Sequence, residues 1–483
     1  MSYQPTIGLE IHAELKTRTK MFCDSANDPD ETRPNVNVCP ICMAHPGTLP
    51  VINREAVQQV LRIGVAINGT CADISEFDRK SYFYPDIPKG YQISQYAYPL
   101  VTGGSLAGVA VTRVHLEEDT ARSIHIAGED GDPERSERTE GKSLVDFNRA
   151  GIPLMELVTE PVISDAGTAG KFARELQLLL RTLGASNANL EKGEMRIEAN
   201  ISVSAEEGKL GTKVEVKNLN SFRSVERAIA FEVHRQIALL EKGEKVVQET
   251  RGWNETKQES FHQRFKEGSA DYRYFPEPDL PKLFLSEIPE FSSEIIRASL
   301  PELPWNKRNR LMKEYELKEE VAELFIQNDE LGKFFEKVVS GKTSDFIKLA
   351  VNYITTDLIA ILKEKADAVF YDAENFIKLI DMIVSKKISS RGAKDILVIM
   401  INSGGDPEII ASEHNLIQMQ DSTALREAVD SVITNEQKAV LEYKNGKLSA
   451  LQYLIGKAMK ESHGAGNPQE LQKLIIQAVG SRQ

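Results

Sequence analysis

The most constraining feature of the sequence is an alternation of apolar and polar side chains over residues 6–15, TIGLEIHAEL. Successive side chains of a β-strand point to opposite faces, so this alternation predicts a strand with one face in a core. The apolar face carries Ile7, Leu9, Ile11, Ala13 and Leu15. The other face carries Glu10, His12 and Glu14. A half-buried surface strand explains this pattern without any chemistry, so the neighbouring strands must decide whether the polar face is functional.

Other segments alternate in the same way. Their polar positions are Arg113, His115 and Glu117 in 110–119, Glu194, Arg196, Glu198 and Asn200 in 194–203, and Lys213, Glu215 and Lys217 in 213–217. Glu156 lies in LMELVTE, and Glu118 follows Glu117 directly. Strands with one apolar and one charged face predict an open sheet. Its charged side suits Mg²⁺, which prefers carboxylate oxygens, and phosphates, which lysines bind. The sequence does not decide whether these faces meet.

The chain changes character along its length, which predicts an α+β protein. Residues 1 to about 290 are β-rich, with helical patterns at 54–67 and 171–184 and a polar segment at 128–141 that is typical of a solvated loop. Six prolines between 276 and 304 indicate either a linker or a packed extended strap. From 305 to about 404 the apolar spacing is that of helices.

The last 80 residues predict a separate helical unit. One helix face would carry Leu448, Leu451, Leu454, Ile455, Ala458 and Met459. The final helix would begin with Asn467 as N-cap and Pro468 in its first turn. Residues 438–460 contain five lysines and one acid, Glu442, in a chain whose net charge is −13. These lysines indicate either a solvated helix face or a local patch for a phosphate backbone.

The low number of cysteines indicates free thiols in the reducing interior of the cell, because four in 483 residues are too few for a disulfide framework. Cys23, Cys39 and Cys42 have the spacing of a zinc knuckle. A complete zinc site needs a fourth ligand, for which Asp24, His45 and the more distant Cys71 are candidates. The cluster is therefore either a zinc site or a metal-free loop.

Two segments combine aromatic and basic residues. Residues 77–95 hold Lys80, Tyr82, Tyr84 and Lys89, and DYRYFPEPD at 271–279 has the same character. Such segments stack on bases and contact phosphates, although aromatic packing of an extended loop explains them equally well.

Several motifs are missing from the sequence. No GxxxxGK[ST] motif occurs, so ATP would not be held by a P-loop, and no GxSxG motif supplies a nucleophile. No apolar run approaches the roughly 18 residues that span a bilayer. The first ten residues lack the basic and apolar regions of a signal peptide. We therefore expect a cytoplasmic protein without membrane contact.

Long motifs give the chain a family resemblance. They are IGLEIHAELKTRTKMFC, CPICMAHPGTLPVIN, FDRKSYFYPDIPKGYQISQ, HLEEDTARS, LVDFNRAGIPLMELVTEP, MRIEANIS, KVEVKNLNSF, DYRYFPEPDLP and YKNGK with GNPQ. In these motifs the chain resembles the B subunits of the aspartyl/glutamyl-tRNA amidotransferases. The motifs occur in order over essentially the whole chain.

The resemblance implies an architecture and a reaction. The architecture is a cradle-like catalytic domain at 1–292, a helical domain at 293–404 and a helical tRNA-binding tail at 405–483. The reaction is ATP-dependent phosphorylation of the side-chain carboxylate of Glu or Asp misacylated onto tRNA, followed by amidation with ammonia. The partners would be the amidase (glutaminase) of the amidotransferase, which supplies the ammonia, its small third component, known as the C protein, and the misacylated tRNA.

The resemblance also implies site residues. Glu10, His12 and Glu118 would be catalytic Mg²⁺ ligands, with Glu117 and Glu156 as further ligands and Glu198 behind them. Contacts to ATP or the acyl end would come from Lys80, Tyr82, Tyr84, Lys89, Lys213 and Lys217. Contacts to tRNA would come from Lys444, Lys447, Lys457, Lys460 and Asn467.

One departure concerns zinc. Many zinc-containing members have cysteine where this chain has Ser25, which leaves Cys23, Cys39 and Cys42 as three ligands and predicts incomplete zinc loading. The alternative function is a non-catalytic RNA-binding adaptor, which needs the basic tail but not the acidic face.

Overall fold

The computed structural model describes residues 3–81, 83–126, 142–206, 208–265, 272–364, 372–418, 422–461 and 468–480. The chain forms two compact units, Met1–Trp305 and Asn306–Gln483. The first is built on a mixed sheet and the second is helical, so the predicted α+β class is confirmed. Among the described residues, the helices are too short or too polar to cross a bilayer.

The first unit contains the strands. They are β1 (Gln4–Glu14), β2 (Thr70–Cys71), β3 (Ile74–Ser75), β4 (Asp78–Ser81), β5 (Tyr91–Ser94), β6 (Val101–Thr102), β7 (Ser105–Leu106), β8 (Val109–Glu118), β9 (Arg122–Ile126), β10 (Lys142–Asp146), β11 (Pro153–Thr159), β12 (Met195–Ser204), β13 (Val214–Lys217), β14 (Glu249–Asn254), β15 (Glu259–Phe265), β16 (Phe275–Pro276) and β17 (Leu283–Phe284).

The helices occur in both units. They are α1 (Arg54–Ala66), α2 (Ala166–Thr182), α3 (Phe222–Glu241), α4 (Ser293–Ser299), α5 (Pro304–Glu314), α6 (Glu319–Gln327), α7 (Asp329–Val339), α8 (Ser344–Asn352), α9 (Ile359–Glu364), α10 (Ala373–Val384), α11 (Ser390–Ser403), α12 (Pro407–Glu413), α13 (Ser422–Asn435), α14 (Gln437–Lys444), α15 (Leu448–Glu461) and α16 (Pro468–Gly480). Two 3₁₀ turns lie at Leu285–Glu287 and Pro289–Phe291, and a π-helical turn at Tyr353–Leu358 joins α8 to α9.

The large sheet has β1 near its centre. The strand order is β15-β14-β13-β12-β1-β11-β8-β6-β2, with β7 added beside β8, and β13 and β14 form a parallel pair within it. The predicted alternation of β1 is confirmed, because its apolar face is at most 1% exposed from Ile7 to Leu15.

Helices α1, α2 and α3 cover the apolar side of this sheet, and their buried residues belong to the same core as β1. Each helix begins at a side-chain cap: Asn53, Asp165 and Ser221 accept hydrogen bonds from backbone N–H groups of the first turn. Because Asp165 provides the cap, α2 begins five residues before the predicted start at 171. Gly184 follows α2 with φ +66°, as expected of a helix-ending glycine.

The proline-rich segment is part of the first unit and packs on its sheet and core. In it, β16 pairs with β4 and β17 pairs with β3. Leu285, Phe291 and Ile296 are buried in the same core as the sheet. Of the two sequence interpretations, the packed strap is the one observed.

The second unit contains a distinct core near its end, formed by residues of α13, α15 and α16 between Leu425 and Val479. The predicted stripe on α15 is buried at Leu451, Leu454, Ile455 and Ala458. Leu448, which was predicted on the same face, is the first residue of the helix and is 75% exposed. Helix α12 does not belong to this core. It packs with α10 and α11, and the Gln418 N–H after it donates to the Lys387 carbonyl.

Candidate functional site

The pairing register brings the polar faces of three central strands together. His12 on β1 lies opposite Glu156 on β11, which lies opposite His115 on β8. On the other side of β1, Glu10 lies opposite Glu198 of β12. Residues opposite each other in antiparallel strands have neighbouring side chains, so separate sequence motifs meet here.

Glu156 is shared by two groups of potential metal ligands. Its Oε2 lies 3.4 Å from His12 Nε2 and 3.3 Å from His115 Nε2. The first group is completed by Glu10, whose Oε1 is 3.8 Å from His12 Nε2, and the second by Glu117, whose Oε1 is 3.6 Å from His115 Nε2. Within each group the ligand atoms lie within 4.8 Å of one another.

Because these carboxylates and imidazoles are buried together, the pKa of each depends on the charge of its neighbours. Burial alone would raise the pKa of Glu156, but the His115 and His12 imidazoles hold that pKa well below its usual value. Burial would lower the pKa of His115, but Glu156 and Glu117 outweigh it and raise that pKa to about 9. Burial and the Glu156 charge raise the pKa of Glu10. The imidazoles thus stabilise the Glu156 carboxylate, whereas Glu10 is the carboxyl whose charged form is least favoured.

Lysines surround this acidic surface. Lys80 Nζ lies 3.5 Å from Glu117 Oε1, and Lys217 Nζ lies 2.7 Å from Glu198 Oε2. Burial would lower the pKa of Lys217, but Glu198 and Glu215 outweigh burial and raise it, so this lysine is held charged. Lys213 is exposed just before β13. Tyr84 is 62% exposed, and Tyr82 lies outside the described residues.

Glu118 does not join Glu10 and His12, although the resemblance grouped the three. Strand side chains alternate, so Glu118 points away from the side that carries Glu117. Its Oε2 pairs with Lys89 Nζ at 2.5 Å, and its Oε1 accepts from the Ile93 N–H at 2.9 Å. It lines a separate cavity of about 230 Å³ beside the thiols.

The thiols of Cys23, Cys39 and Cys42 form one cluster. Ser25 Oγ lies 3.8 Å from Cys42 Sγ, in place of a fourth sulfur. Cys71 is not nearby; Ser293 and Arg297 are its polar neighbours.

A buried lysine touches this cluster. Lys20 is fully buried, and its Nζ lies 3.9 Å from Cys42 Sγ. The hydrogen bond from Cys23, helped by the Lys20 charge, lowers the pKa of Cys42 to about 4, while the same bond raises the pKa of Cys23. The described residues around the thiols thus supply three sulfurs, one hydroxyl and an ammonium group.

The tail lysines are partly paired within the tail. Lys447 Nζ lies 2.8 Å from Glu442 Oε2, and Lys457 Nζ lies 2.6 Å from Glu436 Oε1. Lys444 ends α14 and Lys460 lies in the last turn of α15. The predicted N-cap Asn467 lies outside the described residues. Binding of tRNA by these lysines stays a prediction.

Sequence reasoning missed one cluster at the end of the polar face. The Glu14 carboxyl lies beside Asp119, which Arg149 and Arg196 flank at 3.7 and 2.9 Å. Among the described residues, the buried Asp119 Oδ2 has no hydrogen-bond partner, and a protonated Glu14 carboxyl beside it would supply a donor. Burial and Asp119 raise the pKa of Glu14 to about 8, while the arginines hold the pKa of Asp119 at about 2 against its burial. The sequence did contain one indication of this cluster, because Glu14 shares the polar face of β1 with Glu10.

Two family models match the chain. The model for the GatB/GatE catalytic domain matches residues 5–289, which cover the large sheet. The model for the GatB domain matches residues 333–479 in the helical unit.

Full-length relatives show the same relationship. A protein of Thermomicrobium roseum and one of Thermotoga maritima are each 42% identical to this chain, with 99% of both sequences aligned. A protein of Gloeothece citriformis is 40% identical over 98% of this chain and 97% of its own length. All three are named as the B subunit of an aspartyl/glutamyl-tRNA(Asn/Gln) amidotransferase.

Proposed function

The chain belongs to the family of B subunits of the aspartyl/glutamyl-tRNA(Asn/Gln) amidotransferases, and we propose that its acidic face activates the side-chain carboxylate of a misacylated aminoacyl-tRNA with ATP. The observation that carries the proposal is the convergence of Glu10, His12 and Glu156 with His115 and Glu117 on one side of the sheet. An RNA-binding adaptor has no need of buried carboxylates and imidazoles in contact.

The chemistry explains why ATP is needed. A carboxylate is a poor acyl donor because oxide would have to leave. Transfer of the γ-phosphoryl group of ATP to a carboxylate oxygen releases ADP and gives an acyl phosphate. Ammonia then attacks the acyl carbon, phosphate leaves with the C–O bond electrons, and a proton lost from nitrogen completes the amide. Catalysis of such a transfer is mainly positioning and charge stabilisation.

The donor set fits a hard cation. Carboxylate oxygens of Glu10, Glu117 and Glu156 suit Mg²⁺, and a bound cation would favour the charged form of Glu10, whose pKa burial and Glu156 raise. We assign Glu10, His12 and Glu156 to hold Mg²⁺, with Glu117 beside them. Bound there, Mg²⁺ would neutralise phosphate oxygens during the transfer.

The lysines have a positioning role in this proposal. Lys80 and Lys217 flank the acidic surface as fixed positive charges, and each is already oriented by a carboxylate. An incoming triphosphate adds negative charge that these ammonium groups would meet. Lys89 pairs with Glu118, and both side chains line the neighbouring cavity.

The complete reaction requires partners. The relatives are named as one of several subunits, which implies a multi-component enzyme. We propose that ammonia comes from an amidase partner and that a small third protein completes the complex. The tail would contact the tRNA body.

The test uses His12→Ala in the reconstituted complex. We expect amide formation to fall by about 10²-fold or more, because the positioned charge is lost. The partner's glutaminase activity and tRNA binding should stay close to wild type. The matched control is His234→Ala, which removes an exposed histidine on α3. Normal amidation by the His12 variant at limiting Mg²⁺ would refute the assignment.

A further inference from the structure

Two tyrosines from distant parts of the chain stack beside the acidic face. Tyr96 follows β5 and Tyr274 precedes β16. Their ring centroids are 4.4 Å apart and the ring planes differ by 11°. Tyr96 nevertheless remains 59% exposed, so the ring face that does not contact Tyr274 is open to solvent. An open face on a stacked aromatic pair is suited to a planar base.

The backbone holds this pair in place. The Tyr96 N–H donates to Oδ2 of Asp78, a buried residue, at 2.9 Å. On the other side, the Tyr272 carbonyl accepts from the Ser81 N–H at 2.9 Å. Both anchors lie on β4, which β16 extends into a three-stranded sheet with β5. The rings therefore form a preformed surface, which lowers the ordering cost of binding.

Two side chains, Lys80 and Tyr272, connect the platform to the acidic face. Lys80 Nζ lies 5.3 Å from the centroid of the Tyr272 ring and 3.5 Å from Glu117 Oε1. Tyr272 in turn packs edge-on against Tyr274, with centroids 6.0 Å apart. Arg273, between these two tyrosines in the sequence, is exposed and adds a positive charge to this segment.

We propose that the Tyr96–Tyr274 pair is the stacking platform for the 3′-terminal base of the aminoacyl-tRNA. The inference rests on the proposed function and adds a binding site to it. An adenine could also come from ATP, but the two substrates differ in reach. Only an ester and a few carbons separate the terminal ribose from the reactive carboxylate, whereas three phosphates separate the adenosine of ATP from the point of transfer. A platform connected to Glu117 by only Tyr272 and Lys80 matches the shorter reach.

The experiment combines kinetics with a fluorescent base in the assembled complex. Tyr96→Ala should raise the KM for misacylated tRNA about tenfold or more, as loss of one base stack does. It should leave the KM for ATP unchanged. Tyr96→Phe keeps the ring and should behave as wild type. Tyr98→Ala removes a tyrosine that is 54% exposed but outside the stack, and should also have no effect.

The second readout uses tRNA that carries 2-aminopurine at its 3′ end. Stacking should quench its fluorescence in wild type and Tyr96→Phe, but not in Tyr96→Ala. An unquenched probe on wild type overturns the proposal without any variant. A raised KM for ATP with an unchanged KM for tRNA also overturns it, since ATP would then be the occupant. A wild-type complex that lacks ATP-dependent amidation would refute the proposed function instead.

Discussion

Glu14→Gln should change how the stability of the first unit depends on pH. In wild type the pKa of Glu14 is raised from 4.5 to about 8, by burial and by Asp119. Between these two values the folded chain binds a proton that the unfolded chain has released, so stability falls as pH rises. A glutamine donates to Asp119 at every pH and carries no such dependence.

The size of the change in the free energy of unfolding follows from the difference between the two pKa values of Glu14. One pKa unit corresponds to about 1.36 kcal/mol, so wild type would lose up to about 4 kcal/mol between pH 5 and pH 8 through this group. Relaxation around the coupled pair reduces this value. We expect Glu14→Gln to match wild type near pH 5 and to be more stable by about 2–4 kcal/mol near pH 8.

The assay is guanidinium unfolding followed by tryptophan fluorescence, with a chelator present to exclude metal binding. Both tryptophans, Trp253 and Trp305, belong to the first unit, so the signal reports that unit. Glu191→Gln is the matched control, because it removes an exposed carboxylate that lines the same cavity as Glu14. Parallel pH profiles for wild type and Glu14→Gln from pH 5 to pH 8 would refute the reasoning.

Two further predictions concern the thiols and the tail. Purified protein should contain clearly less than one zinc per chain by elemental analysis, because Ser25 replaces a sulfur and Lys20 already places positive charge at the thiols; stoichiometric zinc would contradict this. Removal of residues from Ser422 onward should raise the KM for aminoacyl-tRNA about tenfold and flatten its salt dependence, because phosphate contacts are lost. The partner's glutaminase should be unaffected, and an unchanged KM and salt slope would mean that the tail lysines only solvate their helices.

The local parts of the fold could be predicted from the sequence. The alternation of β1 depends only on the period of a strand, so both of its faces were predicted correctly. The same alternation places Glu117 and Glu118 on opposite faces of β8. The resemblance to the family nevertheless grouped both with the metal ligands. The helical period likewise places Leu448 on the apolar face of α15, but it does not indicate burial. Leu448 is the first residue of the helix and remains 75% exposed.

The assembly of the site could not be predicted in this way. Glu10, Glu117 and Glu156 meet only because β1 pairs with β11 and β11 with β8, and the first of these pairings joins residues more than a hundred positions apart. Local pattern does not specify which strands become neighbours. The Tyr96–Tyr274 stack and the Glu14–Asp119 contact depend on the same kind of long-range pairing, so neither was predicted.

The central position of β1 also constrains how the protein is made. The ribosome synthesises β1 long before its partner β12, which ends at Ser204. At roughly 5–20 residues per second, about 10–40 s pass before the second edge of β1 can be paired. During that time β1 has at least one unpaired edge and an apolar face, and an unpaired strand edge is a template for aggregation. A chaperone that shields β1 would protect the chain during this interval, and variants that weaken β12 should first appear as insoluble protein.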